Sequence, residues 1–195
     1  MNRTHPDRRV ARTDHSLHVA LNRLILEKGY EHTTVDDITE RANVGRSTFY
    51  AHHGGKDGLL LQGLQHVRTA LLAAQREAAT GPAAGRVLSF SCAFFKHVHE
   101  YRELYRALMR SERAPEVAAA LKRIVADLVR TEFQEHALRE DHQTVPTDAL
   151  VHFTVETMFA ILDWWLERRP KLAPAEADAI FRQLALPALA AARSR

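Results

Sequence analysis

Arg46, Ser47 and Thr48 follow a glycine and lead into Phe49, Tyr50 and His52, which gathers hydrogen-bonding side chains on one short segment. With Phe49 as an inward anchor and 100° per residue, Ser47 and Ala51 point most directly away from a core. Thr48 and Tyr50 flank them, and Arg46 reaches round from the start. A small, polar outer face lets a backbone approach base edges, whose donors and acceptors Arg, Ser and Thr can pair. Tyr50 and His52 are placed for phosphates. Lys56 opens a later helix, where unpaired N–H groups and the macrodipole already favour an anion. Thr33 or Thr34 holds the equivalent position at the start of an earlier helix. The chemistry implied is the grip of a polyanion, without bond making.

Other chemistries find less support. His97-x-His99 and His52-His53 lack zinc-ligand spacing, no H-E-x-x-H occurs, and Cys92 stands alone. No G-x-S-x-G elbow is present, and the glycines beside Lys56 do not make the G-x-x-x-x-G-K-[ST] phosphate loop. No catalytic residue, metal or cofactor is therefore expected. The rival readings are an enzyme or helical small-molecule-binding protein that never meets DNA, and a helical adaptor for protein partners. The adaptor leaves the Arg46–Tyr50 face unexplained.

The 195 residues are 46% apolar and 26% charged with one cysteine, the composition of an ordinary globule in a reducing compartment. No apolar run approaches the ~18 residues of a membrane helix, so a cytoplasmic protein without a membrane partner is expected. A net charge of +3 and a pI near 9.2 permit anionic partners without demanding them. The local excess lies in residues 1–12, four Arg against Asp7, which reads as a flexible basic arm.

Around these residues the chain reads as helix almost throughout, because apolar side chains recur at three and four. A first helix is expected from Thr13 or Asp14, striped by Leu17, Leu21, Leu24 and Ile25 and stopped by Gly29. Thr34 caps a second over Val35, Ile38 and Ala42, with Asp36 and Asp37 at its positive end. Asn43-Val44-Gly45 tolerates positive φ, so Arg46 to His52 forms a third short helix that the second braces. After Gly54-Gly55, a long helix from Lys56 to Ala79 bridges a domain over residues 13–60 and a second over 61–195. Beyond breaks at Thr80-Gly81-Pro82 and Gly85, a helix starting near Val87 continues after a bend through Tyr101 to Met109. Another runs from Pro115 through Phe133, then a polar loop over Arg139 to Thr144, and helices from Asp148 to Arg168 and Pro174 to Ala192. The expectation is an all-α chain of about nine helices.

Thr33-Thr34-Val35-Asp36-Asp37-Ile38, Ala42-Asn43-Val44-Gly45-Arg46-Ser47-Thr48-Phe49-Tyr50, His52, Lys56 and Leu59-Leu60 together resemble a family signature. It is the N-terminal helix-turn-helix of the TetR/AcrR (tetracycline-repressor) regulators, over about residues 13–62. His53 departs from it, standing where an aromatic residue, usually Phe, is typical. Four residues after Phe49 it is expected to face inward, either as a core histidine with its polar atoms paired or as a local weakness. Gly54-Gly55 replaces the usual polar cap, and Asn43 replaces a glycine that it can mimic in the left-handed region. The resemblance implies a DNA-binding transcriptional regulator, by default a repressor, built as a homodimer on a palindromic double-stranded operator and released by a small hydrophobic effector. It also implies a C-terminal effector-binding and dimerisation domain, with whose members Tyr105-Arg106-Ala107-Leu108 and Trp164-Trp165 are similar in character.

The helix from Asp148 carries two apolar stripes, Leu150, Phe153, Ile161 and Trp164 on one and Val151, Val155, Met158, Leu162 and Trp165 on the other. One core face cannot absorb both, so this helix is expected to meet a second subunit as well. Val155, Leu162, Trp164 and Trp165, with Ile180 and Leu184 of the last helix, are the expected dimer contacts. The resemblance implies a four-helix interface that sets two reading helices about one DNA turn, ~34–36 Å, or a multiple of it apart. Phe94, Phe95, Tyr101, Tyr105, Met109, Phe133 and Met158 are the aromatic and soft side chains expected around an effector.

Overall fold

Arg8, Arg9, Val10, Ala11 and Arg12 contain no helix breaker, and the first helix begins with them rather than at Thr13. In a computed structural model that describes residues 8–79, 87–135, 145–168 and 171–192, α1 spans Arg8–Lys28. The expected arm over 1–12 is thus shortened by the part that is helical, and residues 1–7 lie outside the described residues. α1 ends where Gly29 takes φ +84° and donates its N–H to the Ile25 carbonyl at 3.0 Å. α2 (Val35–Ala42) is opened by a capping box: Thr34 Oγ1 accepts from the Asp37 N–H at 3.2 Å, and the Asp37 carboxylate accepts from the Thr34 N–H at 2.7 Å. Asn43 closes it in the left-handed region at φ +52°. α3 (Arg46–His52) follows after Asn43, Val44 and Gly45, and α4 (Lys56–Ala79) starts with the Gly55 carbonyl accepting from Leu59.

The remaining helices are α5 (Ser91–Glu100), α6 (Arg102–Met109), α7 (Ala114–Glu135), α8 (Thr147–Arg168) and α9 (Pro174–Ala191). Among the described residues the fold is all-α with nine helices. The expected breaks at Thr80–Gly85 and Arg139–Thr144 lie outside the described residues. Val87–Phe90 do not join α5, contrary to the apolar pattern. Leu88 sits at φ +56°, and the buried Glu132 carboxylate accepts from the N–H groups of Leu88 (2.6 Å) and Ser89 (3.1 Å). Arg182 donates to the Val87 and Leu88 carbonyls at 2.9 and 3.0 Å. Two charged side chains distant in sequence hold this turn open, which periodicity cannot see.

The chain divides into two compact units. The first takes the residues up to His66 together with Glu103–Ala118, and its core is Leu17, Leu21, Ile25, Ile38, Phe49 and Leu59. The second comprises Val67–Arg102 and the residues from Ala119 onward, with α5 and α8 both packed on α9 around Phe94, Phe95, Trp165 and Phe181. α8 is longer in apolar sequence than expected: an 18-residue window with mean hydropathy 1.2 matches a membrane-crossing helix in length and composition. Half of that window is buried inside the protein, as in a core helix.

Candidate nucleic-acid interface

α3 is seated by one side chain. Phe49 is fully buried, its ring centroid 5.3 Å from both Tyr50 and His53. Burying that ring turns the opposite side of the helix outward, and Arg46, Ser47, Thr48, Tyr50 and His52 are all exposed. Five of the eight residues expected to touch DNA therefore share the open side of one helix. Arg46 rests on Asp36 of α2, Nη1 to Oδ1 at 3.1 Å, with both side chains more than 60% exposed. An exposed pair of this kind contributes about 0–1 kcal/mol, so little holds the Arg46 guanidinium on that carboxylate.

Three expectations need separate treatment. Thr34 is exposed at the start of α2, but its hydroxyl donates to Asp37 Oδ2 at 2.5 Å while serving as the cap. Thr33 is a correction: it is 1% exposed, and its hydroxyl donates to the Gly29 carbonyl at 2.8 Å, so its side chain cannot meet a phosphate. Lys56 is another. Its ammonium donates to the carbonyls of Tyr30 (2.8 Å), Thr33 (2.9 Å) and Glu31 (3.3 Å) and lies 4.4 Å from the centre of the Tyr30 ring. An ammonium has three N–H donors, and all three are engaged. Lys56 ties the α1–α2 turn to the start of α4 instead of presenting a free charge.

Around that lysine lies a network that the sequence did not announce. Tyr30 Oη donates to Asp57, and Arg113 Nη2 meets the other oxygen of the same carboxylate at 2.7 Å. Glu31 accepts the Glu112 N–H at 2.8 Å, which holds the Glu31 carboxyl below the usual carboxylate range. Burial, and then the hydrogen bond to Asp57, push the Tyr30 phenol well above its ordinary value. The α6–α7 turn is thereby fastened within the first unit. Partners 27 and more residues apart carry no local signal.

In the second unit the expected effector residues do not form one group. Phe94, Phe95, Phe133 and Met158 are at most 2% exposed and are core side chains. Phe94 meets Phe159 at 5.8 Å between ring centres, and Phe95 meets Trp165 at 5.8 Å and Phe181 at 6.1 Å. Tyr101 is 41% exposed against His97, and Tyr105 and Met109 are half-buried in the first unit. The expected dimer contacts also divide. Val155, Leu162 and Trp165 are buried in their own unit, and the Trp165 Nε1–H donates to the Leu172 carbonyl at 3.1 Å, so these three are corrected to core. Trp164 and Ile180 are half-buried and Leu184 is 54% exposed. Phe153, absent from the expected contacts, is 40% exposed on α8, on the same stripe as Trp164.

Residues 18–62 match the model of bacterial regulatory proteins of the tetR family, and residues 87–186 match a transcriptional regulator C-terminal region of the TetR type. Over 55 residues the chain is 44% identical to the HTH-type transcriptional regulator YxbF of Bacillus subtilis (strain 168), a stretch covering 28% of this chain and 14% of that protein. Its fold is similar to that of a putative TetR-family regulator from Syntrophomonas wolfei, with a TM-score of 0.75 at 15% identity over 91% of this chain and 95% of the other. NalD of Pseudomonas aeruginosa, the secondary repressor of the MexAB-OprM multidrug efflux pump, gives 0.65 at 19% identity over 92% and 96%. Thermus thermophilus FadR, a repressor solved with lauroyl-CoA, gives 0.59 at 21% over 89% and 93%. The matched families and the curated relative are regulators and not enzymes, which sets the enzyme alternative aside.

Proposed function

The chain belongs to the TetR family of transcriptional regulators, and from that premise we propose a cytoplasmic homodimeric repressor that reads a palindromic operator with α3 and is released by a small hydrophobic effector. The observation that carries the DNA half is the seating of α3: Phe49 inward and fully buried, Arg46, Ser47, Thr48, Tyr50 and His52 outward. A polar helix face of this size fits the ~12 Å major groove, where Arg46, Ser47 and Thr48 read bases and Tyr50 and His52 hold phosphates. Thr34 adds a phosphate contact from the start of α2. Exposed Phe153 and Leu184, with half-buried Trp164 and Ile180, supply apolar surface for a second copy on α8 and α9. The efflux-pump repressor NalD and the acyl-CoA-bound FadR support an apolar effector for a fold of this kind.

The test is a footprint of the full chain on the DNA flanking its own coding region, repeated over a salt series and with apolar effectors. A protected palindrome whose affinity falls with salt at a log–log slope near −0.9 per phosphate contact is expected. No protection at low salt, or protection indifferent to salt, counts against the reading.

A further inference from the structure

Behind α3 the first unit gathers a group of ionisable side chains that operator reading does not use: His18 and His53 are buried, Asp14 is half-buried and His66 is exposed. His53 directly follows α3, donates its backbone N–H to the Phe49 carbonyl at 2.9 Å, and has its ring against Phe49. Its Nε2 stands 3.3 Å from Asp14 Oδ1 of α1, outside hydrogen-bonding geometry, so both buried atoms lack a hydrogen bond. His53 is therefore inward as expected but not fully paired. His18 of α1 lies beside it, ring centres 6.4 Å apart, and 4.9 Å from the ring of His66 on α4. His18 Nε2 is a third buried atom with no hydrogen bond, and Gln62 Oε1, one turn before His66, is a fourth.

The backbone accommodates this crowding. Gly63 lies on the same face of α4, and a Cβ there would stand 3.3 Å from His18 Nδ1. Buried polar atoms are normally paired, and one left unpaired costs about 1–3 kcal/mol. Several orphans around one carboxylate make a site whose energy depends on how many protons it holds.

We propose that Asp14, His18, His53 and His66 form a proton-sensitive clamp that seats α3 on α1 at neutral pH and loosens it on mild acidification, so that the protein releases DNA in acid. The titratable groups facing His18 are His66 from α4, His53 from behind α3, and Asp14 and His15 from α1; His52 adds a further ring 6.4 Å from His53. Asp14 is the one carboxylate among them. One carboxylate can balance one added positive charge, whereas any further one sets imidazolium beside imidazolium with nothing to offset it. Burial first, and then the neighbouring His66 and His53, lower His18 to about 4. The folded value lies below the ordinary 6.5. Between those values the unfolded or loosened chain holds a proton that the clamped state refuses, so acid favours loosening.

The DNA part rests on the reading of α3 given above, and the thermal part does not. The melting temperature of the full chain is measured at pH 7.5 and 5.5 alongside its operator affinity at constant ionic strength. We expect a fall of about 3–5 °C and an operator Kd about tenfold weaker, one pKa unit of coupling. Added positive charge on an exposed surface acts oppositely, strengthening DNA binding in acid, so the sign separates the two effects. His18→Gln removes a titrating ring and is expected to halve the thermal loss and to reverse the sign of the affinity change. Asp14→Asn removes the balancing charge and is expected to enlarge the loss, which keeps a test available should His18→Gln fail to fold. Melting that does not move with pH, or an undiminished acid loss in His18→Gln, overturns the clamp. A protein that melts as expected but protects no DNA counts against the operator reading alone.

Discussion

α3 is seven residues long and buries one side chain, whereas α8 is 22 residues long and buries nine. In α3 the lone anchor, Phe49, fixes which way the helix faces, and everything polar goes outward by default. In α8 apolar residues occupy nearly every direction, and neither stripe is by itself inside or outside. Leu150 and Phe153 share one stripe, yet Leu150 is 6% exposed and Phe153 is 40% exposed. A short helix with a sparse apolar face is thus more legible than a long one with a rich face, because periodicity informs only where it discriminates.

The sharpest way to break that comparison is to charge both kinds of apolar position in the second unit. Leu162→Glu places a carboxylate at a site that is 0% exposed and is expected to abolish cooperative folding, since an unpaired buried charge costs several kcal/mol or more. Leu184→Glu, at a 54% exposed site on α9, is expected to leave the circular dichroism spectrum unchanged and to halve the mass in solution. Light scattering separates them. A folded Leu184→Glu protein of unchanged mass removes this part of α9 from the interface.

Next in size is the anchor itself. Phe49→Ala empties a fully buried aromatic site and is expected to cost about 3–5 kcal/mol. The loss should appear in denaturant melts and should abolish operator protection at the same time. Tyr50→Ala, at a side chain 52% exposed, is expected to leave the melt within about 0.5 kcal/mol and to weaken binding only. Equal destabilisation by the two changes would mean that α3 is not seated by Phe49.

Legibility followed the range of the physics. Gly29, the Thr34–Asp37 box and Asn43 each act within four residues, and the ends of α1 and α2 could be read from them. The outward set on α3 followed from one aromatic ring. Lys56 was misread because its type and position suit an anion, while its actual partners are carbonyls 23–26 residues earlier. Thr33 was misread because adjacent threonines are equivalent in sequence until one becomes the cap and the other turns inward to Gly29. The turn at Leu88 depends on Glu132, 44 residues away, and the sorting of α8 depends on where α9 lies. None of these has a local signature.

Lys56 offers the third test, of intermediate size. Lys56→Met keeps the aliphatic stem and leaves three carbonyls without their donor, which is expected to cost about 1–3 kcal/mol of stability. If its ammonium holds the turn and not a phosphate, the salt slope of operator binding stays as in the parent protein. Arg46→Ala is the counterpart, with little thermal effect and a slope flatter by up to one unit if Arg46 meets a phosphate, or relaxed base preference if it meets a base. A flattened slope in Lys56→Met would restore the lysine to the DNA surface.

The smallest expected effect belongs to the box that opens α2. Thr34→Ala removes the cap hydroxyl and is expected to cost about 1 kcal/mol. Asp37 works with it: Lys28 at 2.7 Å, and then the Thr34 hydroxyl and amide, hold its carboxyl well below the usual carboxylate range. A carboxyl lowered in the folded state stabilises the fold above its ordinary value, near 3.9, and that contribution disappears as pH falls through the folded value. Asp37→Asn should therefore melt below the parent protein at neutral pH and converge with it in strong acid. The His18 cluster has the same sign in a higher window, since a histidine lowered in the folded state also loses stability as pH falls, from about 6.5 down to about 4. Melting curves at pH 7, 5 and 3 distinguish them, because the cluster alone acts in the first interval and Asp37 enters only in the second. A parent profile with no loss in the first interval leaves the cap as the only proton-linked element of the two.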